Sequence, residues 1–158
     1  MNSEIKVTIE GIQVGFDEED KATTPVPIRT VNPGKYFLKN NKEYVIYEEL
    51  FDKDNPKSII NNTIIIEEDS FQIIRNGFVK SRLLFKAGDR YATSLITPMG
   101  TMYMMADTSI CKIVREDDRI LLRSSYELSI NDKKISTNAV EISIENELLF
   151  FLVSRSSL

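Results

Sequence analysis

The sequence predicts an all-β protein, a single antiparallel up-and-down β-barrel of about 8–10 strands. First, apolar and polar residues alternate through residues 70–145, as expected for strands with one buried face. Second, turn signals interrupt this alternation every ~8–12 residues, a spacing typical of barrels and sandwiches. Third, no segment keeps a helical period for longer than a turn or two. The turn signals are Asn76-Gly77, Gly88-Asp89, Pro98-Met99-Gly100, Glu116-Asp117-Asp118 and Asn131-Asp132.

Length and composition indicate one domain. The 158 residues are enough to bury a substantial core, and their low content of Pro and Gly argues against wholesale disorder. We expect the barrel to occupy residues 1–146 and a C-terminal tail to occupy residues 147–158. The apolar run at residues 148–153 within that tail is too short to distinguish a strand from a helix.

Charge and hydropathy limit the partners of the chain. A formal net charge of -4 and the absence of a basic face disfavour nucleic acid and anionic membrane surfaces. The longest apolar run, residues 148–153, is far shorter than the ~20 residues of a membrane-spanning helix. The first ten residues have the pattern of a strand rather than a secretory signal. Because the single Cys111 also fits a reducing compartment, we expect a cytoplasmic protein.

The absence of histidine limits the chemistry of the chain. With no His, Ser-His-Asp and Cys-His catalysis and His-ligated metal sites are excluded. One cysteine also excludes a metal site made only of thiolates within one chain. We therefore expect no enzymatic activity, no metal and no cofactor.

The first third of the chain predicts a strand, a long loop and a hairpin. Residues 4–13 form the strand, with a bulge or a barrel bend at Gly11, where the apolar pattern changes phase. Residues 16–32 are irregular and contain two prolines, and residues 28–31 are a candidate edge strand within them. Asn40-Asn41 predicts a tight hairpin turn between residues 35–39 and 42–50.

The middle of the chain predicts a hairpin around Asn76-Gly77. A two-residue turn there pairs Arg75 with Phe78 and leaves Arg75 on the outer face or at the rim. The inner face then carries the apolar residues of the hairpin and small residues beyond the next turn. The predicted inward-facing residues are Ile74, Val79, Leu83, Phe85, Ala87, Ala92, Ser94 and Ile96.

The last third predicts four more strands. They cover residues 101–108, 109–116, 119–131 and 133–145. In the last strand Ile135 is out of phase with Val140, so we expect a bulge between Ser136 and Ala139.

Several motifs, taken in order, resemble the YwiB-like family of small bacterial proteins. The matching segments are Arg75-Asn76-Gly77 with Val79, Ser81 and Phe85; Thr97-Pro98-Met99-Gly100 with Thr108; residues 126–132 and 138–144; Gly34-Lys35-Tyr36; and Tyr47-Glu48-Glu49. The chain departs from the family at Leu95 and Ile96, where many relatives carry a Tyr-Glu pair. The resemblance covers about residues 4–146 and implies a lipocalin-like calycin barrel of unassigned function.

Two hypotheses for function follow. A barrel of this size either fills with side chains or holds one small ligand. In the first hypothesis the chain is a binding module for a small apolar or amphipathic molecule. In the second it is a packed, ligand-free interaction module, which includes a homodimer. The second hypothesis uses the outer-face residues Leu84, Leu95 and Ile65. The tyrosines among the ligand-binding candidates can equally be core aromatics. The candidates are Tyr47, Gln72, Ser94, Met102, Met104 and Tyr126.

Overall fold

The structure, a computed structural model, describes residues 1–147 and consists of ten β-strands. The strands are β1 (Glu4–Gly15), β2 (Val26–Lys39), β3 (Lys42–Leu50), β4 (Ile59–Ile66), β5 (Ser70–Gly77), β6 (Ser81–Lys86), β7 (Arg90–Thr97), β8 (Gly100–Arg115), β9 (Arg119–Ile130) and β10 (Lys133–Asn146). The predicted all-β fold is therefore confirmed. Residues 148–158, the greater part of the predicted tail, lie outside the described residues.

The ten strands form one antiparallel sheet that is nearly closed into a barrel. Its order is β6-β5-β4-β3-β2-β1-β10-β9-β8-β7, so β1 pairs with β10 and the two outermost strands are β6 and β7. These two strands meet at Lys80 and Ile96, which exchange two backbone hydrogen bonds of 2.9 and 2.8 Å. The predicted up-and-down connectivity is confirmed, with the barrel closing between β6 and β7 through a single bridge.

Two tight turns follow from their sequence. Asn40 and Asn41 both have positive φ, 53° and 62°, and Asn131 and Asp132 have 51° and 65°. Positive φ at both central residues is the requirement of a type I′ hairpin turn, and Asn and Asp tolerate it. The predicted turns at these two places are confirmed.

The hydrophobic core fills one end of the barrel, which we call the packed end. This end carries the turns at residues 40–41, 67–69 and 116–118. The inward residues close to it are buried and form one cluster. The cluster contains Ile5, Val7, Val45, Tyr47, Ile64, Ile66, Phe71, Phe85, Ile120, Leu122, Ile142 and Ile144. Small closed barrels commonly fill in this way.

The predicted loop at residues 16–32 is shorter than expected. Strand β2 begins at Val26, and it pairs with β1 over ten residues, so the chain is extended where a loop was predicted. Strand β3 joins β2 only from Lys35 to Lys39. Residues 26–34 therefore have a neighbouring strand on one side, and the candidate edge strand around residues 28–31 is part of a longer strand with one free edge.

The predicted bulges are displaced. Gly11 stays in register with both neighbouring strands, and the bulge predicted there is wrong. Its glycine instead permits close approach, because a Cβ would lie 2.7 Å from the carbonyl oxygen of Ala139. The register of β10 shifts between Lys134 and Ser136, rather than between residues 136 and 139. A second shift at Ser109 keeps β8 continuous where two strands were predicted.

The register predicted for the Asn76-Gly77 hairpin is wrong. Gly77 continues β5 and pairs with Ile60, and the chain turns through residues 78–80 before β6 begins. The longer connection buries two apolar side chains that a two-residue turn would place on the strand. Val79 is 1% exposed, and the Phe78 ring packs 5.6 Å from that of Phe51. Burial of these residues outweighs the local preference of Asn-Gly for a tight turn.

We expect Gly77→Ala to lower the free energy of unfolding more than Gly88→Ala. Both glycines have positive φ, 135° and 82°, so both substitutions carry conformational strain of about 1–3 kcal/mol. Only at Gly77 would the new Cβ also clash, 2.4 Å from the carbonyl oxygen of Ile59, because nothing lies within 4 Å at Gly88. Urea unfolding of the two variants measures the difference. Equal losses would contradict the close approach of β4 and β5.

Candidate functional site

Two of the predicted ligand-binding tyrosines are part of the core. Tyr47 is 6% exposed, and the Tyr126 ring packs 5.0 Å from that of Phe85 in an edge-on arrangement. Neither hydroxyl has a hydrogen-bond partner within residues 1–147. Burial raises the pKa of both phenols above the ordinary value. The two residues lie inside the barrel as predicted, with their rings contributing to packing.

The other four candidates are divided between the two faces. Ala106, which pairs with Tyr91, is 1% exposed, so the odd-numbered residues of β7 face inward. Ser94 therefore faces outward, opposite Tyr103, and its predicted inward position is wrong. Met102 and Met104 have inward positions, and Met102 is 46% exposed near the end of the barrel. Gln72 lies on the outer face.

The same alternation corrects four further side chains. Ala92 and Ile96 share the outward face of β7 with Ser94, and Ile74 faces outward beside Arg82. Leu95 faces inward, so it cannot contribute to an outer surface as the interaction hypothesis required. The error at Ile74 follows from the hairpin register that Gly77 changes, whereas the errors on β7 arose where the inner face was carried round the Gly88-Asp89 turn. The inward positions predicted for Val79, Leu83 and Phe85 are confirmed.

Arg75 is the most consequential correction. It was predicted at the outer face or the rim, but it shares the inward face of β4 and β5 with the buried Asn62. Its Nη2 donates to Glu49 Oε1 at 3.2 Å, and Asn62 Nδ2 donates to the same oxygen at 3.1 Å. The Arg75 side chain remains 32% exposed. A guanidinium has five N–H donors in a planar fork, and Glu49 accepts one of them here.

Side chains hold β6 where its backbone pairing with β7 is missing. Thr93 Oγ1 on β7 donates to the carbonyl oxygen of Arg82, and Cys111 Sγ on β8 donates to that of Phe85 at 3.3 Å. Beyond Lys80 and Ile96, these contacts take the place of a ladder. Burial raises the pKa of the Cys111 thiol, which favours the protonated donor form.

A pocket of about 360 Å³ lies at this junction, and we call it the seam pocket. It contains three cations, Arg75, Lys80 and Arg82, and no carboxylate. It also contains the hydroxyl groups of Ser81, Tyr91, Thr93 and Ser94 and the apolar side chains of Ile74, Ala92 and Ile96, with Asn76. Four other surface pockets of the described chain each include at least one carboxylate. The seam pocket thus combines positive charge with hydroxyl donors in a protein of negative net charge.

Lys80 and Arg82 make no ion pair within residues 1–147. Arg75 is bound to Glu49, which lies outside the lining of the pocket. A concave site with unpaired cations and hydroxyl donors attracts a negatively charged group.

Two buried hydroxyl groups lie deeper in the barrel. Thr108 Oγ1 and Ser124 Oγ have no hydrogen-bond partner in the described chain, and their residues are 4% and 2% exposed. They occupy inward positions of β8 and β9, with Thr108 opposite Tyr126 and Ser124 opposite Cys111. Unpaired buried hydroxyls are uncommon, because a buried hydroxyl without a partner loses its hydrogen bonds to water. Neither Thr108 nor Ser124 belongs to the lining of the seam pocket.

A polar group covers the packed end. Arg115 Nη2 donates to Glu43 Oε1 at 2.7 Å and to the carbonyl oxygen of Glu67 at 3.0 Å. The Tyr36 hydroxyl donates to Glu43 Oε2 at 2.8 Å. Burial, together with this hydrogen bond to a carboxylate, raises the pKa of Tyr36. Each charge here has a partner, so the group stabilises the end of the barrel rather than offering a free binding site.

The comparison with known proteins identifies the family. Residues 7–142 match the family described as a domain of unknown function, DUF1934. The chain belongs to this family. A crystal structure of the ywiB protein from Bacillus subtilis is similar to it, with a TM-score of 0.71 over 92% of this chain and 94% of that chain at 18% identity. This similarity bears out the YwiB-like resemblance seen in the sequence motifs and shows the fold alone. No curated protein matches the chain.

Residues 1–147 lack two further features. They contain no group of three or more Cys, Asp or Glu residues placed to hold a metal ion. They also contain no helix with the length and apolar character needed to cross a membrane.

The sequence contained one signal for the seam pocket. Arg75, Lys80 and Arg82 are close in the chain, within a segment that includes Lys86 and no acidic residue. The predicted register placed these cations together on an outer face, where they were interpreted as solvated charges. Of the six candidates, Ser94 lines this pocket, from the outward side of β7.

We expect the protein to lose stability as the pH rises past about 10, where tyrosine in an unfolded chain ionises. Because the folded state raises the pKa of Tyr47 and Tyr126, it holds their protons more tightly than the unfolded state does. Their contribution is complete below that pH and is lost above it, by about 1.4 kcal/mol per pH unit for one such group. Urea unfolding between pH 8 and about pH 11 measures this decline.

Tyr47→Phe should make the decline less steep, and Tyr103→Phe is the matched control because Tyr103 is 75% exposed. An unchanged slope in Tyr47→Phe would contradict the buried position of this phenol.

Proposed function

We propose that the protein is a binding module for a small amphipathic anion, which it holds in the seam pocket. The observation that carries the proposal is the meeting of Arg75, Lys80 and Arg82 in a pocket without a carboxylate. Lys80 and Arg82 are exposed and Arg75 is half-buried, and cations held close together repel one another, so a bound counter-charge stabilises a pocket of this kind.

The donors of the pocket suit a carboxylate or a similar oxyanion. Arg75 has donors left over beyond its bond to Glu49, and Lys80 and Arg82 are unpaired in the described chain. The Ser81 and Tyr91 hydroxyls line the same space. Hydrogen bonds between charged partners are roughly twice as strong as neutral ones.

The remaining walls suit an apolar group of limited size. Ile74 and Ile96, together with the Tyr91 ring, provide the apolar lining. A volume of about 360 Å³ lies at the small end of the range for ligand pockets. The filled packed end leaves no room for a long chain in the lumen, so the ligand is short and enters at the junction of β6 and β7.

The proposal assigns binding and not catalysis. The lining of the seam pocket contains no carboxylate to act as a base, and Glu49, the carboxylate bound to Arg75, is engaged by Arg75 and Asn62. We also propose a cytoplasmic location, supported by the free thiol of Cys111, which suits a reducing compartment. We also propose that the barrel is of the lipocalin-like calycin type, as the family resemblance implies.

The packed, ligand-free module is the second candidate. Ile65 and Leu84 are on the outer face, as that hypothesis required, and each is opposite Gln72. Sedimentation of the purified protein at high micromolar concentration tests it, because a strictly monomeric species would contradict association through this face.

We expect octanoate to bind the protein and octanol to bind at least about tenfold more weakly, since one charged hydrogen bond contributes about 1.5–3 kcal/mol. Isothermal titration calorimetry measures both.

Lys80→Gln should weaken octanoate binding about tenfold, which corresponds to about 1.4 kcal/mol. Lys112→Gln is the matched control, an exposed lysine in another pocket, and it should leave the affinity unchanged. Equal binding of acid and alcohol, or equal effects of the two substitutions, would contradict the proposal.

Native mass spectrometry of the protein as purified, compared with the same sample denatured, tests for a ligand acquired in the cell. A mass excess that disappears on denaturation supports the binding module and gives the mass of its ligand.

A further inference from the structure

We propose that the lumen of the barrel binds an ordered water molecule between Thr108 and Ser124, hydrogen-bonded to both side-chain hydroxyls. We call Thr108 Oγ1 and Ser124 Oγ the inner hydroxyl pair. This inference is independent of the seam pocket and of the ligand proposed for it.

The inner hydroxyl pair is buried, and the protein does not compensate for its lost hydration. Thr108 is 4% exposed and Ser124 is 2% exposed, and neither hydroxyl has a hydrogen-bond partner among residues 1–147. Burial of a hydroxyl without a hydrogen bond is unfavourable. Buried water typically binds polar groups that are otherwise unsatisfied. The pair therefore indicates a hydrogen-bonding ligand inside the barrel.

The two hydroxyls belong to neighbouring positions of one surface. Thr108 is opposite Tyr126, and Ser124 lies two residues before Tyr126 on β9, so the pair is diagonal across adjacent strands. Diagonal neighbours are roughly 7–8 Å apart, and their side chains are closer. A water molecule that bonds two oxygens joins atoms up to about 5.6 Å apart, a distance that two side chains turned toward each other can match.

A β-bulge lies between the two positions. The register of β8 and β9 shifts between Thr108 and Ile110, so Ser109 has no residue opposite it. A bulge disrupts the ladder locally and leaves the extra residue unpaired. The two strands are therefore joined less tightly at the level where we place the water.

The surroundings of the pair favour a neutral ligand. Ala106 and Cys111, the nearest inward residues of β8, are small, and Tyr126 on β9 is polar but uncharged. Burial is the cause of the raised pKa of Tyr126, so this phenol reports a low-dielectric surrounding. An ion is costly to bury without a paired charge. Water suits the pair because each hydroxyl can donate one hydrogen bond and accept others.

The water would limit what else enters the lumen at this level. An apolar group that displaced it could not replace its hydrogen bonds, and such a displacement lowers affinity. We therefore expect the inner hydroxyl pair to disfavour apolar ligands beside β8 and β9.

The first test compares Thr108→Val and Ser124→Ala with Thr101→Val, a control at an exposed position of the same strand as Thr108. If water bonds the pair, each site variant removes a hydrogen bond to it, and the midpoint of urea unfolding should fall. The control should leave the midpoint unchanged. A midpoint that stays the same or rises in both site variants would overturn the proposal, because removing an unpaired buried hydroxyl relieves a cost.

A crystal structure of the full-length protein, at a resolution that shows ordered water, keeps the test valid if a variant does not fold. We expect a density peak within about 3 Å of both hydroxyl oxygens. The absence of a peak would contradict the proposal, as would either hydroxyl donating to a protein carbonyl instead. Extended density matched by a mass excess in native mass spectrometry would also contradict it, by assigning the pair to a larger ligand.

Discussion

The ladder between β1 and β10 is the constraint on which the rest of the structure depends. It joins the first and last strands over eleven residue pairs, from Ile5 with Asn146 to Gly15 with Ser136. Without it the meander would be an open sheet with its chain ends at the edges, where unpaired backbone groups recruit other strands. Because this closure is complete, the discontinuity of the barrel falls between β6 and β7. The pocket described there exists because the two strands approach each other without forming a ladder.

The distribution of polar groups follows from the same closure. Apolar residues fill the lumen where the strands are fully paired, and the charged group of Tyr36, Glu43 and Arg115 covers that end. Toward the other end the lumen receives Glu49 and Arg75, whose charges compensate each other, and Asn62, which donates a hydrogen bond to Glu49. Burial of a charge is tolerated when it is paired and hydrogen-bonded. Among the five pockets described for residues 1–147, the one at this weak closure has cations in its lining and no carboxylate.

Local rules predicted the elements of the fold, and tertiary packing decided the details of the site. Alternation and the Asn40-Asn41 turn depend on neighbours in the chain, so the sequence reveals them directly. The course of the chain after Gly77 depends on burial of Phe78 and Val79 against distant strands. No local pattern records that contact, so the register reversed the faces of Ile74 and Arg75, and the faces of β7 were reversed at the Gly88-Asp89 turn. Tyr47 and Tyr126 were placed inside the barrel because inward aromatic residues are recognisable, whereas Arg75 was misplaced because the register was wrong.

The free edge of β2 bears on the tendency of the protein to aggregate at high concentration. The backbone N–H of Tyr36 points toward β1, so by alternation the odd-numbered residues of β2 present their backbone to the opposite side. Pro27 and Pro33 are two of these residues, and they bracket the stretch that β3 does not cover. A proline has no N–H to give to an incoming strand. The edge of β2 that β3 leaves open is therefore a poor template for fibril growth. Its prolines weaken pairing near both ends of the open stretch, where another strand would begin to align.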